Sequence, residues 1–119
     1  RIPTPEPSLF YVKAFIDRMV ELARHQNKCD NITFHIDIAP ADLIVYADEN
    51  LISQVVINLL KNAIQAIDTQ ADGKIEIQGR CNAAEEILIE IKNNGPAIPS
   101  EIIYLFLFLP PKKEVVVSD

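Results

Sequence analysis

The spacing of apolar residues switches along this chain between two periods, and few architectures accommodate the order in which it switches. Val12, Phe15, Ile16, Met19, Val20 and Ala23 recur at helical intervals, with Lys13, Asp17, Arg18 and Glu21 off that stripe, which predicts a helix over residues 8–27. Ile32, Phe34, Ile36 and Ile38 then alternate with Thr33, His35 and Asp37, the period of a half-buried strand, with His35 on its polar face. Pro40 ends that strand, Leu43 to Tyr46 predict a short second one, and Asp48 is placed to cap a helix running to Asp68. After a turn at Asp72-Gly73, Lys74 to Arg80 and Glu86 to Lys92 alternate again as paired strands. Helix, strand, strand, helix, strand, strand predicts an α+β fold, a two-layer α/β sandwich with helices covering one face of an antiparallel sheet.

The chain's 119 residues fit one domain, and 49% apolar with 24% charged residues is a globular composition that excludes wholesale disorder. A formal charge of -6 leaves no basic footprint, so nucleic acid is not an expected partner. Cys29 and Cys81 lie far apart without zinc-finger spacing and are expected to be reduced thiols. No apolar run reaches the roughly 18 residues of a spanning helix, so a membrane anchor of the parent protein is expected outside this segment. Pro3, Pro5 and Pro7 make residues 1–7 read as a linker from a preceding domain.

The run from Leu51 to Asp68 carries the chemistry. Ile52, Val55, Val56, Leu59, Ala63, Ala66 and Ile67 form an apolar stripe, while Gln54, Asn58, Lys61, Asn62 and Gln65 project elsewhere. Asn58 and Asn62 stand one turn apart on one side. Asparagine competes with the helical backbone for hydrogen bonds and is a poor interior residue, so the pair asks for an explanation. Their amide oxygens suit a hard cation such as magnesium, which shares oxygen ligands with substrate phosphates. Spacing alone favours the plainer reading, a solvated polar face.

The loop Asn93-Asn94-Gly95-Pro96-Ala97-Ile98-Pro99 shifts that balance. With it in view, the sequence resembles the ATP-binding catalytic domain of sensor histidine kinases, in the wider group that includes gyrase-type and Hsp90-type ATPases. Gln54 to Ala63, read as QVVINLLKNA, resembles the family's N box, and Asn93 to Pro99 resembles its first glycine box, DNGPGIP. Their order and separation also match, and the similarity covers roughly residues 8–104, followed by an altered or truncated tail at 105–119.

The resemblance implies a Bergerat-type ATP-binding fold, incomplete at its C-terminal end, that binds ATP and Mg2+. It implies Asn62 as magnesium ligand, with Asn58 supporting the metal or phosphates. Lys61 would act as a point charge beside the phosphates, although its position turns it away from Asn62. Asn93 would approach adenine, Gly95 would let the backbone come near the nucleotide, and Ala97 would set its methyl against the ring. Where related hydrolases carry a water-activating glutamate, Asn58 stands, and an amide cannot act as that base; this suits transfer of the γ-phosphoryl group to a histidine. That histidine is expected outside the chain, because His25 is followed by Gln26-Asn27-Lys28 rather than the family's acidic residue and proline, and His35 reads as a sheet-face residue. The implied partners are a phosphoacceptor helical domain of the same protein, through which the parent would form a homodimer, and a response regulator. The implied location is cytoplasmic, in a parent anchored to the inner membrane.

Three departures stand beside the match. Asn93 replaces the aspartate whose carboxylate accepts from the adenine amino group, and a neutral hydrogen bond in place of a charged one costs roughly tenfold in affinity. Ala97 replaces a glycine, adding strain of about 1 kcal/mol if the backbone there needs positive φ. The three glycines, Gly73, Gly79 and Gly95, cannot build a second glycine box. These departures keep two other readings open: a non-catalytic interaction module of the same fold, and a protein serine kinase of the anti-sigma-factor type.

Overall fold

A computed structural model describes residues 4–96 and the backbone of residues 101–106. The elements in chain order are β1 (Ser8–Tyr11), α1 (Val12–Gln26), β2 (Ile32–Ala39), β3 (Ile44–Ala47), α2 (Glu49–Ile67), β4 (Gly73–Cys81), β5 (Glu86–Asn93) and β6 (Glu101–Phe106). A four-stranded sheet has the order β2-β4-β5-β6, and β1 pairs with β3 in a small second sheet. The fold is the expected α+β sandwich, but the large sheet is mixed. β2 runs parallel to β4, with Ile32 opposite Gly73 and Ala39 opposite Arg80, whereas β4, β5 and β6 are antiparallel. Parallel neighbours require a crossover, and α2 lies within that connection, which lays it across the sheet.

The first helix starts four residues later than its apolar spacing predicts. Ser8 to Tyr11 pair with Ala47 to Ile44 instead, and the Val12 N–H donates to the Leu43 carbonyl at 2.9 Å. In this short strand Phe10 packs on the core while Leu9 and Tyr11 face outward, a period of two that the helical stripe beginning at Val12 conceals. From Val12 on, all six stripe residues are buried as expected.

The layer between helices and sheet is closed by Ile75, Ile77, Ile87, Ile89 and Ile91 from the sheet and by Val56, Leu60, Ala63, Ile64 and Ile67 from α2. The buried face of α2 is therefore rotated from the expected one. Val55 is 47% exposed, and Ile52, Leu59 and Ala66 are only half-buried. Apolar residues occupy more than half the circumference of this helix, so its period locates a stripe without fixing its centre; contact with the sheet fixes it.

Both ends of α2 are held. At its N-terminus Asp48 Oδ1 accepts from the backbone N–H groups of Asn50 (3.0 Å) and Leu51 (3.2 Å), as its N-cap position predicts. Its other oxygen, Oδ2, accepts from the Glu6 N–H at 2.8 Å, and Arg18 on α1 pairs with Glu49. At the C-terminus Asn31 Nδ2 donates to the carbonyls of Asp68 and Gln70, both at 2.8 Å. Among the described residues no polar or charged side chain is buried, and the outward face of the sheet carries pairs such as Arg80 with Asp37 at 2.8 Å.

Candidate functional site

The free side of α2 divides into two shoulders. Successive residues turn 100° around a helix, so Gln54, Asn58, Lys61 and Gln65 form one exposed line, and Val55, Leu59, Asn62 and Ala66 form the line beside it. Asn58 is exposed, at the edge of its line nearer Asn62, and Asn62 is half-buried. Lys61 is exposed and projects a full 100° away from Asn62. Among the described residues, the amides of Asn58 and Asn62 make no hydrogen bond, in contrast to those of Asn27, Asn31, Asn82, Asn93 and Asn94.

The loop after β5 closes over the second shoulder. A Cβ built on Gly95 would lie 2.5 Å from the Ala66 carbonyl oxygen and 2.8 Å from its carbonyl carbon, closer than any real side chain tolerates. Gly95 is thus required by close approach to α2; no glycine in the chain has positive φ. Ala66 lies one turn beyond Asn62 and two beyond Asn58, about 6 Å and 12 Å along the axis. The glycine loop thus meets the same helix that carries the two asparagines.

Two neighbouring asparagines hold the loop in place. Asn94 Oδ1 accepts from the Lys74 N–H at 2.8 Å, and its Nδ2 donates to the Asp72 carbonyl at 3.0 Å. Gln70 Nε2 donates to the Asn94 carbonyl at 3.2 Å, tying the loop to the turn that follows α2. Asn93 Oδ1 accepts from the Gly95 N–H at 2.8 Å, a local turn that aims Gly95 at the helix. Asn93 and Gly95 are in contact with each other, and Gly95 meets α2 at Ala66, on the helix that carries Asn58 and Asn62; Lys61 projects away from Asn62, and Ala97 lies outside the described residues.

Sequence reasoning did not single out Asn94, Val55 or Ala66 for this site. Asn94 acts through turn chemistry, which its place beside a glycine signals. Val55 and Ala66 belong to the expected buried stripe, and the rotation of α2 leaves Val55 exposed and Ala66 half-buried against Gly95. Among the described residues no group of three His, Cys, Asp or Glu side chains is placed to hold a metal ion. Along this side α2 carries the amides of Asn58 and Asn62 and the apolar surface of Val55, and the loop that meets it at Ala66 carries hydrogen-bonded backbone. That chemistry suits a hard cation shared with an anionic ligand that has a flat apolar portion.

A helix bearing two asparagines, laid across a mixed sheet and met by a glycine loop, defines a nucleotide-binding class of α+β domain. The family model for histidine kinase-, DNA gyrase B- and HSP90-like ATPases matches residues 47–111, and the chain belongs to this family. The adaptive-response sensory kinase SasA of Microcystis aeruginosa is 35% identical over 99 residues, covering 82% of this chain and 25% of that protein. The C4-dicarboxylate transport sensor protein DctB of Rhizobium meliloti is 34% identical over 85 residues, covering 71% of this chain and 13% of that protein. The chain therefore spans about a quarter or less of the length of these relatives. Among solved structures, the nucleotide-free catalytic domain of histidine kinase ThkA matches with a TM-score of 0.68 and 34% identity, covering 79% of this chain and 62% of that one. ThkA in complex with the response regulator protein TrrA matches with a TM-score of 0.67 and 34% identity, covering 80% of this chain and 28% of that one. No helix among the described residues is long and apolar enough to cross a membrane.

Proposed function

We propose that this chain is the ATP-binding catalytic portion of a two-component sensor histidine kinase, and that the groove between α2 and the Asn93–Pro96 loop receives the nucleotide. The observation that carries this reading is the packing of Gly95 on Ala66, which sets the loop backbone one turn from Asn62 and two from Asn58. Asn62, with Asn58 beside it, would hold Mg2+ through amide oxygens; the bound ion supplies neutralisation of phosphate charge. Asn93 meets the base, Val55 offers an apolar wall, and Gly95 keeps the wall free of a side chain. Lys61, on the far shoulder, adds positive charge at longer range.

In the intact protein the γ-phosphoryl group passes to an imidazole nitrogen of a histidine outside residues 1–119. The bond from the γ-phosphorus to the bridging oxygen breaks, and ADP leaves with that oxygen. The chain's part is to position the nucleotide, and Asn58, which cannot take a proton, does not direct water at the phosphorus. The folded unit runs over residues 8–104, with a linker before it. It works on the cytoplasmic side, where ATP is available, with its partners a phosphoacceptor helical domain that dimerises the parent and a response regulator that takes the phosphoryl group onward.

Calorimetric titration with a non-hydrolysable ATP analogue, with and without magnesium, tests the reading. Magnesium-dependent binding that disappears in Asn62→Ala is expected. A folded chain that binds no analogue at millimolar concentration would overturn it.

A further inference from the structure

The large sheet ends on one side in an open strand. β2 is the first in the order β2-β4-β5-β6, so among the described residues it is paired along one edge only, to β4. Every second residue of its eight therefore turns its N–H and C=O away from the sheet. Exposed edges are ordinarily blunted by proline, lysine, a bulge or an inward-pointing charge. β2 has none of these. It reads ITFHIDIA, keeps unbroken register with β4 from Ile32 to Ala39, and sends Ile32, Phe34, Ile36 and Ile38 toward the core. Ile32, Phe34 and Ile36 stay half-buried, whereas Ile75 and Ile77 beside them on β4 are fully buried.

The outer face of β2 carries Thr33, His35 and Asp37, all exposed. Arg80 on β4 fixes Asp37 by donating to Oδ2 at 2.8 Å and to the carbonyl at 3.0 Å, which leaves Oδ1 without a hydrogen bond among the described residues. This strand is its own complement. Residues directly opposite in an antiparallel pair share a face, so a two-fold axis at Ile36 sets Ile36 against the partner's Ile36 and Phe34 against the partner's Ile38. The same axis sets His35 against the partner's Asp37 and Asp37 against the partner's His35. Each imidazole N–H then meets a carboxylate with an open oxygen. An axis one residue earlier would set His35 against the partner's His35, and one residue later Asp37 against the partner's Asp37, like against like. We propose that β2 is a self-association edge, through which two copies of this chain join antiparallel in the register centred on Ile36, merging their four-stranded sheets into one. The contact is independent of the nucleotide site, whose loop follows β5, two strands away.

Sedimentation equilibrium of the 119-residue chain, from about 10 μM to about 1 mM, tests this. A monomer–dimer equilibrium is expected, with β2 amides exchanging hydrogen more slowly as the dimer fills. His35→Asp sets carboxylate against carboxylate twice and is expected to weaken the dimer about tenfold; adding Asp37→His restores unlike partners and should return the affinity to within about threefold of native. Both positions are exposed, and melting curves establish that the variants fold. A chain that stays monomeric at the highest concentration overturns the proposal, as does a dimer whose affinity His35→Asp leaves unchanged. A native dimer with unaltered exchange in β2 puts the contact elsewhere and overturns it too, and failure of the double exchange to restore affinity overturns the register. If the variants do not fold, the concentration dependence of β2 exchange in the native chain decides alone.

Discussion

The strand β5 is bounded by two asparagine-led turns that use the same side chain in opposite ways. At its start, Asn82 Oδ1 accepts from the N–H groups of Ala84 and Glu86, and its Nδ2 donates to Glu86 Oε1, each at 2.9 Å. That amide is satisfied within five residues, and the turn touches nothing it must serve. At the other end Asn93 accepts from the Gly95 N–H, while Asn94 ties the loop to β4 and to the turn beyond α2. The first turn only reverses the chain. The second places backbone against a helix. Asn82 closes its hydrogen bonds within its own turn, whereas Asn93 and Asn94 use theirs to hold the loop beside β4 and α2.

Asn62→Ala breaks this contrast most sharply. Magnesium-dependent nucleotide affinity is expected to fall by roughly a hundredfold. Thermal stability should hold or rise, because alanine is the better helix former by about 0.5 kcal/mol and the Asn62 amide has no partner to lose among the described residues. Calorimetry and a melting curve on the same variant test both halves. A drop in Tm with affinity intact would make Asn62 structural.

Gly95→Ala asks whether the loop must touch the helix. The new methyl would meet the Ala66 carbonyl at 2.5 Å, so loop or helix must shift, at about 1–3 kcal/mol, with nucleotide affinity falling alongside. A variant that melts and binds normally would show that the packing of Gly95 on Ala66 does not build the groove. Asn94→Ala and Asn82→Ala then separate the two turns. Each should cost about 1–2 kcal/mol by loss of hydrogen bonds to backbone. Only Asn94→Ala should also weaken nucleotide binding, because its bonds hold the loop and those of Asn82 do not.

How far the sequence discloses this arrangement depends on the range of the interaction. The strands β2, β4 and β5 are legible because alternation writes the pleat directly into the residues, as Ile75 and Ile77 against Glu76 and Gln78 illustrate. The Asp48 cap and the Asn58-Asn62 pair are legible for the same reason: each is local. The pairing of Ser8 to Tyr11 with β3 is hidden, since its cause is a strand more than thirty residues away and its pattern merges with the stripe of α1. The rotation of α2 is hidden too. With Val55, Leu59 and Ala66 as apolar as Val56, Leu60 and Ala63, only the sheet decides which line is buried and which is left free. Gly95 is expected to let the backbone come near a nucleotide; its close approach to the Ala66 carbonyl is hidden, because it requires the position of α2.

The far end of α2 supplies the smallest and most selective check. Asp48 receives backbone N–H groups from Glu6, Leu51 and Asn50, and these, with Glu6 first, hold its carboxyl below the usual carboxylate range. A carboxylate depressed in the folded state contributes stability that is fully present above its unfolded pKa of about 3.9 and is lost as pH falls through the lower folded value. In Asp48→Asn the amide can still cap α2 through its oxygen, but its nitrogen cannot accept the Glu6 N–H, so the tie to the segment before β1 is lost. The variant should melt a few degrees lower at neutral pH, and the gap should close as the pH drops below about 4, where protonation removes the same advantage from the native chain. Nucleotide affinity should not change, because Asp48 lies ten residues, nearly three turns, before Asn58 on the helix. A gap that is flat with pH would assign the effect to shape rather than charge, and a loss of affinity would mean that the two ends of α2 are not independent.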